Sequence, residues 1–130
     1  MQQRQYIFTG LDSERATGYC RAVRVGERAC VSGTTALESG GVVPPSLKGN
    51  GYGQSAEAFR RIGAALEQVG LSLAHVVAVR AYLTDPRHIA GYLQAHREAI
   101  GSATPAATLV GTPFLAHSDL VVEIEVEAMA

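Results

Sequence analysis

The chain is predicted to fold as an α+β domain, with one mixed sheet and two helices covering one face of it. Three observations carry that expectation. Val121 to Ala128 alternates apolar and acidic residues, the mark of a strand with one buried and one polar face. Gln54–Val69 and Arg87–Ile100 carry apolar residues at helical spacing, and a strand-like run, Val76–Leu83, lies between them. The 130 residues are 47% hydrophobic and 18% charged, which fits a single domain with a core of its own and argues against disorder.

The elements follow in chain order. Gln5–Thr9 reads as a short first strand. Tyr19–Val25 and Arg28–Ser32 read as a hairpin turning at Gly26-Glu27. Residues 34–53 form a loop of ~20 residues rich in Gly, Pro and Ser, long for a compact domain and of the kind that is often functional. In the first helix, Ala58, Ile62, Ala65, Leu66 and Val69 form one stripe, and Gly70 stops it. The strand Val76–Leu83 is read with Val77, Val79, Ala81 and Leu83 toward the core. Thr84 or Asp85 caps the second helix, Pro86 sits in its first turn, and Ile89, Leu93, His96 and Ile100 form its buried stripe. Ala106–Thr112 and Leu120–Ala128 are the last strands, read as a hairpin across Pro113–Asp119.

Two helices separated by a strand fit crossovers onto one sheet. Val122, Ile124 and Val126 then lie under the helices. Glu123, Glu125 and Glu127 lie on the open face with Val121. Arg80 and Tyr82 share that open face. An arginine beside a carboxylate row fits a polar subunit interface better than plain surface.

Composition narrows function. The formal net charge is −1 and there is no basic run, so a nucleic-acid surface has no electrostatic support. No apolar run approaches the roughly 20 residues of a membrane helix. Met1-Gln2-Gln3-Arg4 lacks the apolar segment of a signal peptide, so a cytoplasmic location is the default expectation. Cys20 and Cys30 have no metal or redox spacing. His75, His88, His96 and His117 form no ligand motif. No metal and no cofactor is expected.

Six segments in order carry a resemblance: Gly18-Tyr19, Val31-Ser32-Gly33-Thr34, Gln54, Arg80-Ala81-Tyr82-Leu83-Thr84-Asp85, Thr104-Pro105-Ala106, and Val122 to Ala128. In these the chain resembles the RidA/YjgF family from about Gly18 to Ala128. The resemblance implies a chorismate-mutase-like two-layer α+β sandwich. It also implies a homotrimer whose sheets form a central barrel, with one ligand cleft at each subunit boundary. Family members commonly deaminate reactive imines and enamines derived from amino acids. The endoribonuclease label some carry finds little support in this charge pattern.

The family's usual Pro-Ala-Arg-Ser appears here as Pro105-Ala106-Ala107-Thr108, so Ala107 stands where an arginine would hold a substrate carboxylate. Leu109 stands where a cysteine is common, and Gly111 where a glutamate is. A charge-assisted hydrogen bond contributes roughly 1.5–3 kcal/mol, so loss of a paired anchor weakens carboxylate binding on the order of a hundredfold. The expected activity is therefore hydrolysis or proton transfer on an imine, enamine or carbonyl compound, and not typical 2-imino acid deamination. A non-catalytic metabolite-binding trimer is the alternative. The resemblance makes Glu127 the residue that handles water or a proton, with Tyr19 donating a hydrogen bond. Thr108, Ala107 and Ser32 line the substrate site. Arg80 either replaces the missing anchor or pairs with Glu123 or Glu125.

Overall fold

The protein is described by a computed structural model that covers residues 3–130. Its elements are β1 (Arg4–Ile7), α1 (Asp12–Thr17), β2 (Ala22–Val25), β3 (Arg28–Thr34), α2 (Gly51–Glu67), β4 (Val76–Leu83), α3 (Ile89–Ile100), β5 (Ala106–Gly111) and β6 (Val122–Met129). The strands form one mixed sheet in the order β1-β2-β3-β6-β4-β5. The α+β class and the single sheet are as the sequence predicts.

The helices pack on each other and α2 lies on β3 and β6. Beneath them, Ala29, Val31, Val79, Ala81, Val122, Ile124, Val126 and Ala128 are buried against Ala58, Phe59, Ile62 and Leu66. Removing such side chains from water supplies the main driving force for this two-layer arrangement. Asn50 caps α2 by accepting a hydrogen bond from the Gly53 amide at 2.7 Å. Gln54, fully buried, donates through Nε2 to the Leu47 and Asp119 carbonyls and accepts from the Val121 amide. One side chain thus ties the start of α2 to the long loop and to the entry of β6.

Four expectations are corrected. The final hairpin does not form: β5 pairs with β4 in parallel, and β6 inserts between β3 and β4, antiparallel to both. The segment between β5 and β6 is long enough to carry the chain past β4 to the centre of the sheet, where both edges of β6 find hydrogen-bond partners. Val77 points outward at 45% exposure while Val76 is buried, because a register shift between Val76 and Ala78 reverses the alternation at the start of β4. On α3 the buried face is Tyr92, Ala95 and Ile100, while Ile89 and Leu93 are 37% and 46% exposed. A 3-10 turn over Pro86–His88 precedes α3 and starts its helical phase later than a helix running from Arg87 would. Val121 lies just outside β6 and is buried at 8% exposure, away from the glutamate face.

The helix α1 was not expected, since it is short and has no apolar stripe. It is held by the buried Glu14, whose carboxylate accepts from the Thr9 amide at 3.0 Å and the Gly10 amide at 3.2 Å and also from the Thr9 hydroxyl. Burial pushes the Glu14 pKa up, but these hydrogen bonds and the charge of Arg21 offset it, and the net shift is downward. Gly18, at φ 88°, ends α1 in the left-handed conformation that a residue with a Cβ disfavours, and its amide donates to Glu14 O at 2.8 Å.

Candidate functional site

The glutamate face of β6 is open to the side away from α2 and α3, and it holds its three carboxylates in three different environments. Glu127 lies opposite Cys30 of β3 and Ala78 of β4, and its Oε1 accepts from Arg28 Nη2 at 2.6 Å in an exposed ion pair. Glu125 lies opposite Arg80, and it accepts a hydrogen bond from the Tyr82 hydroxyl, whose pKa is raised by that bond. Arg80 is exposed and makes no ion pair among the described residues. Glu123 is the one drawn inward. Its carboxylate lies over Gly33, where a Cβ would overlap Oε2.

That overlap explains the glycine at the end of β3. The β3–β6 register shifts between Val31 and Thr34, and the bulge brings the Gly33 backbone under the Glu123 side chain. Burial raises the Glu123 pKa; the Arg21 guanidinium pulls it back in part and the neighbouring Glu125 adds to it. A carboxyl group that holds its proton more tightly than usual, and sits at a cavity, is placed to take part in proton transfer.

The cavity is a cleft of about 850 Å³ between α1, the ends of β1 and β3, residues 34–41 and one side of α2. Tyr19, Arg21, Gly33, Thr34 and Glu123 line it, together with Arg60, Arg61, Ala64 and Gln68 of α2 and its C-cap. The size suits a small metabolite. Tyr19 follows α1 directly, and its hydroxyl lies 2.9 Å from Ser13 Oγ, so α1 orients it. Arg21 Nη2 donates to the Gly33 carbonyl at 3.0 Å. Arg60 and Arg61 are both paired with Glu57, whose carboxyl is lowered to about 2, first by the hydrogen bond from Arg60 and also by Arg61.

Of the candidate site residues Glu127, Tyr19, Thr108, Ala107, Ser32 and Arg80, the cleft lining contains Tyr19 alone. Ser32 donates to the Cys20 carbonyl at 2.7 Å, so its hydroxyl is taken up by the backbone. Thr108 lies opposite Arg80, and Ala107 opposite Val79, on the edge strand β5. With β4 between β5 and β6, Thr108 is not beside Glu127, as the expected hairpin would have placed it. Arg80, Thr108 and Glu125 instead form one row across the open face. The cleft also brings together Glu123, Arg21 and Gly33, which were not read as site residues from the sequence. Pairing alone would not have singled out Glu123: Val31 pairs with Val126 and Thr34 with Ile124, so Glu125 lies opposite the bulge and Glu123 reaches Gly33 only through its side chain.

A family model described as Endoribonuclease L-PSP matches residues 11–130. The chain belongs to the YjgF/RidA family. Its relatives in this family include an uncharacterized protein of Streptomyces coelicolor, 32% identical over 124 residues that make up 94% of this chain and 89% of that one. A RutC family protein of Pyrococcus abyssi is 31% identical over 124 residues, 94% of both chains. A YjgF family member from Mycobacterium tuberculosis has a crystal structure that superimposes with a TM-score of 0.83 at 34% identity, covering 98% of this chain and 100% of that one. The yeast protein YEO7 superimposes with a TM-score of 0.82 over 98% of both chains at 20% identity, which shows the YjgF/RidA fold alone. No described helix is long and apolar enough to cross a membrane.

Proposed function

We propose that this protein is a small-molecule enzyme of the RidA kind, acting by hydrolysis or proton transfer on an imine, enamine or carbonyl compound bound in the cleft between Tyr19 and Glu123. The observation that carries this reading is the half-buried Glu123 carboxyl, held over Gly33 in a cleft that Tyr19 also lines. For an imine, Glu123 in its acid form gives a proton to the nitrogen. As carboxylate it then takes a proton from the attacking water. The water oxygen bonds to the imine carbon and gives a carbinolamine. Glu123 returns the proton to its nitrogen, the carbon–nitrogen bond breaks as the hydroxyl proton passes to Glu123, and the products are a carbonyl compound and ammonia. Tyr19, held by Ser13, donates a hydrogen bond that keeps the reacting group in line.

Glu123 takes the role assigned from sequence to Glu127, because Glu127 is engaged by Arg28 outside the cleft lining. In the homotrimer that the family resemblance implies, each cleft lies at a subunit boundary. A neighbouring copy then brings Thr108 and Ala107 of its edge strand to the cleft. Arg80, Tyr82 and Glu125 of the open face belong to the assembly.

The test is turnover and binding in Glu123→Gln, on freshly generated imines differing in side-chain size. Loss of turnover with ligand binding retained supports the assignment. Unchanged turnover removes Glu123 from the chemistry. Binding without turnover in the natural protein itself favours a metabolite-binding trimer.

A further inference from the structure

We propose that Arg21 is the specificity-determining residue of the cleft, holding an anionic group of the ligand, foremost a carboxylate, from the wall opposite to the one that β5 of a neighbouring copy would supply. The inference rests on the cleft being the ligand site and concerns the charge of what it takes.

Three arginines line the cleft, and two are already neutralised. Arg60 and Arg61 share Glu57, at 2.7 Å each. Arg61 is further occupied by the Thr35 and Leu37 carbonyls, at 2.9 and 2.6 Å. Arg21 has no carboxylate within ion-pair distance among the described residues. A guanidinium carries five N–H donors in a rigid plane. One of those on Arg21 Nη2 goes to the Gly33 carbonyl. Nε is buried without an acceptor, and Nη1 makes no hydrogen bond to a described residue. The bond to Gly33 holds one nitrogen of the group, and its remaining donors are left for a ligand in the cleft that Arg21 lines.

Nearby charges do not remove that role. Glu123 feels Arg21 electrostatically but forms no ion pair with it, and Glu14 is committed to Thr9 and Gly10. An anion at Arg21 shares the cleft with Tyr19 and Glu123, and Ala64 and Gln68 line the same cleft and are available to the rest of the molecule. Ala107 removes the anchor expected on β5. Arg21 supplies one from a different direction, so the acid it selects is held in a different pose, with room for a longer chain.

The experiment measures binding of 2-oxobutanoate and its uncharged methyl ester by NMR titration, following the Gly33 and Thr34 amides. The proteins are the natural chain, Arg21→Gln, Arg21→Lys, Arg60→Gln and Glu123→Gln, each first checked for an unchanged amide spectrum away from the cleft. The acid binds the natural protein more tightly than the ester. Arg21→Gln weakens the acid by about ten- to a hundredfold and leaves the ester unchanged. Arg21→Lys retains part of the affinity, since the charge stays and the fork is lost. Equal weakening of both probes in Arg21→Gln overturns the proposal. So does a loss in Arg60→Gln in its place, or an acid that binds the natural protein no better than the ester. If Glu123→Gln keeps full turnover while Arg21→Gln loses only the acid, the catalytic reading fails and the anchor stands.

Discussion

Substituting Gly33→Ala separates a structural from a functional role at one position. Gly33 has no positive φ, so the backbone accepts an alanine without strain. The new Cβ would overlap the Glu123 carboxylate and stand 3.2 Å from its Cγ, so the Glu123 side chain has to swing away. Only the far end of a flexible side chain is in the way. Moving it off its preferred rotamer costs about 0.5–1.5 kcal/mol. Replacing glycine by alanine returns about 0.4–1 kcal/mol by restricting the unfolded chain. The net change in stability is within about 1 kcal/mol, a melting shift below about 5 °C for a domain of this size. The functional effect is far larger, because displacing a reacting group by about 1 Å can cost about a hundredfold in rate. Thermal melting, turnover and a carbon-13 NMR titration of the Glu123 carboxyl report the three consequences. The expected result is a nearly unchanged melt, lost turnover, and a Glu123 pKa that falls toward the ordinary glutamate range as the group leaves its partly buried place. A Glu123 titration and turnover that both stay as in the natural protein would refute the placement of the carboxylate over Gly33. A melt lowered by more than about 10 °C would refute the claim that only a side chain has to move.

Glu123→Gln should also alter stability with pH. Burial raises the folded pKa above the unfolded 4.5, so folding tolerates the protonated form better and the natural protein loses stability as pH rises through the folded value. The variant carries no such charge, so its advantage should be absent at pH 4 and present at pH 7; denaturant midpoints at the two pH values check this, and a gap that does not change with pH contradicts it. Gln54→Ala should cost about 3–5 kcal/mol, since it leaves the Leu47 and Asp119 carbonyls and the Val121 amide without their partner in a buried site; urea unfolding measures it, and a cost below about 1 kcal/mol would mean that water replaces the side chain. Val76→Ala should cost about 2 kcal/mol while Val77→Ala stays within about 0.5 kcal/mol, because only Val76 is buried; equal effects on the denaturant midpoint would count against the register shift in β4.

Much of the fold could be read from periodicity, and the residues show where that stops. The stripe Ala58, Ile62, Ala65 and Leu66 and the trio Val122, Ile124 and Val126 are buried as expected, because each repeats with the period of its own element. Val77 defeats the same reasoning: one shifted residue reverses which side chains face inward, and nothing in the apolar run Val76–Val77–Ala78–Val79 marks it. The strand order was illegible for a different reason. Consecutive strands often pair, and a hairpin of β5 and β6 is the simplest inference, yet pairing is decided by which edges remain open after the helices cross over. The error in order carried into the site. It put Thr108 beside Glu127 and hid Glu123, whose meaning depends on the bulge at Gly33 and on Arg21, a residue that precedes its strand. α1 escaped notice because Glu14 holds it from within a segment of six helical residues.

The central position of β6 also constrains how the protein can be made. A chain growing from its N-terminus has β1, β2 and β3, and later β4 and β5, before it has the strand that joins them. Until β6 has been synthesised nothing joins the two half-sheets, and the edges of β3 and β4 that β6 will cover remain open. Such contacts, distant along the chain, form late and slowly. The nascent chain therefore carries two unpaired edges until β6 is available, a state prone to wrong pairing with other chains, and the sheet closes only once that strand has left the ribosome.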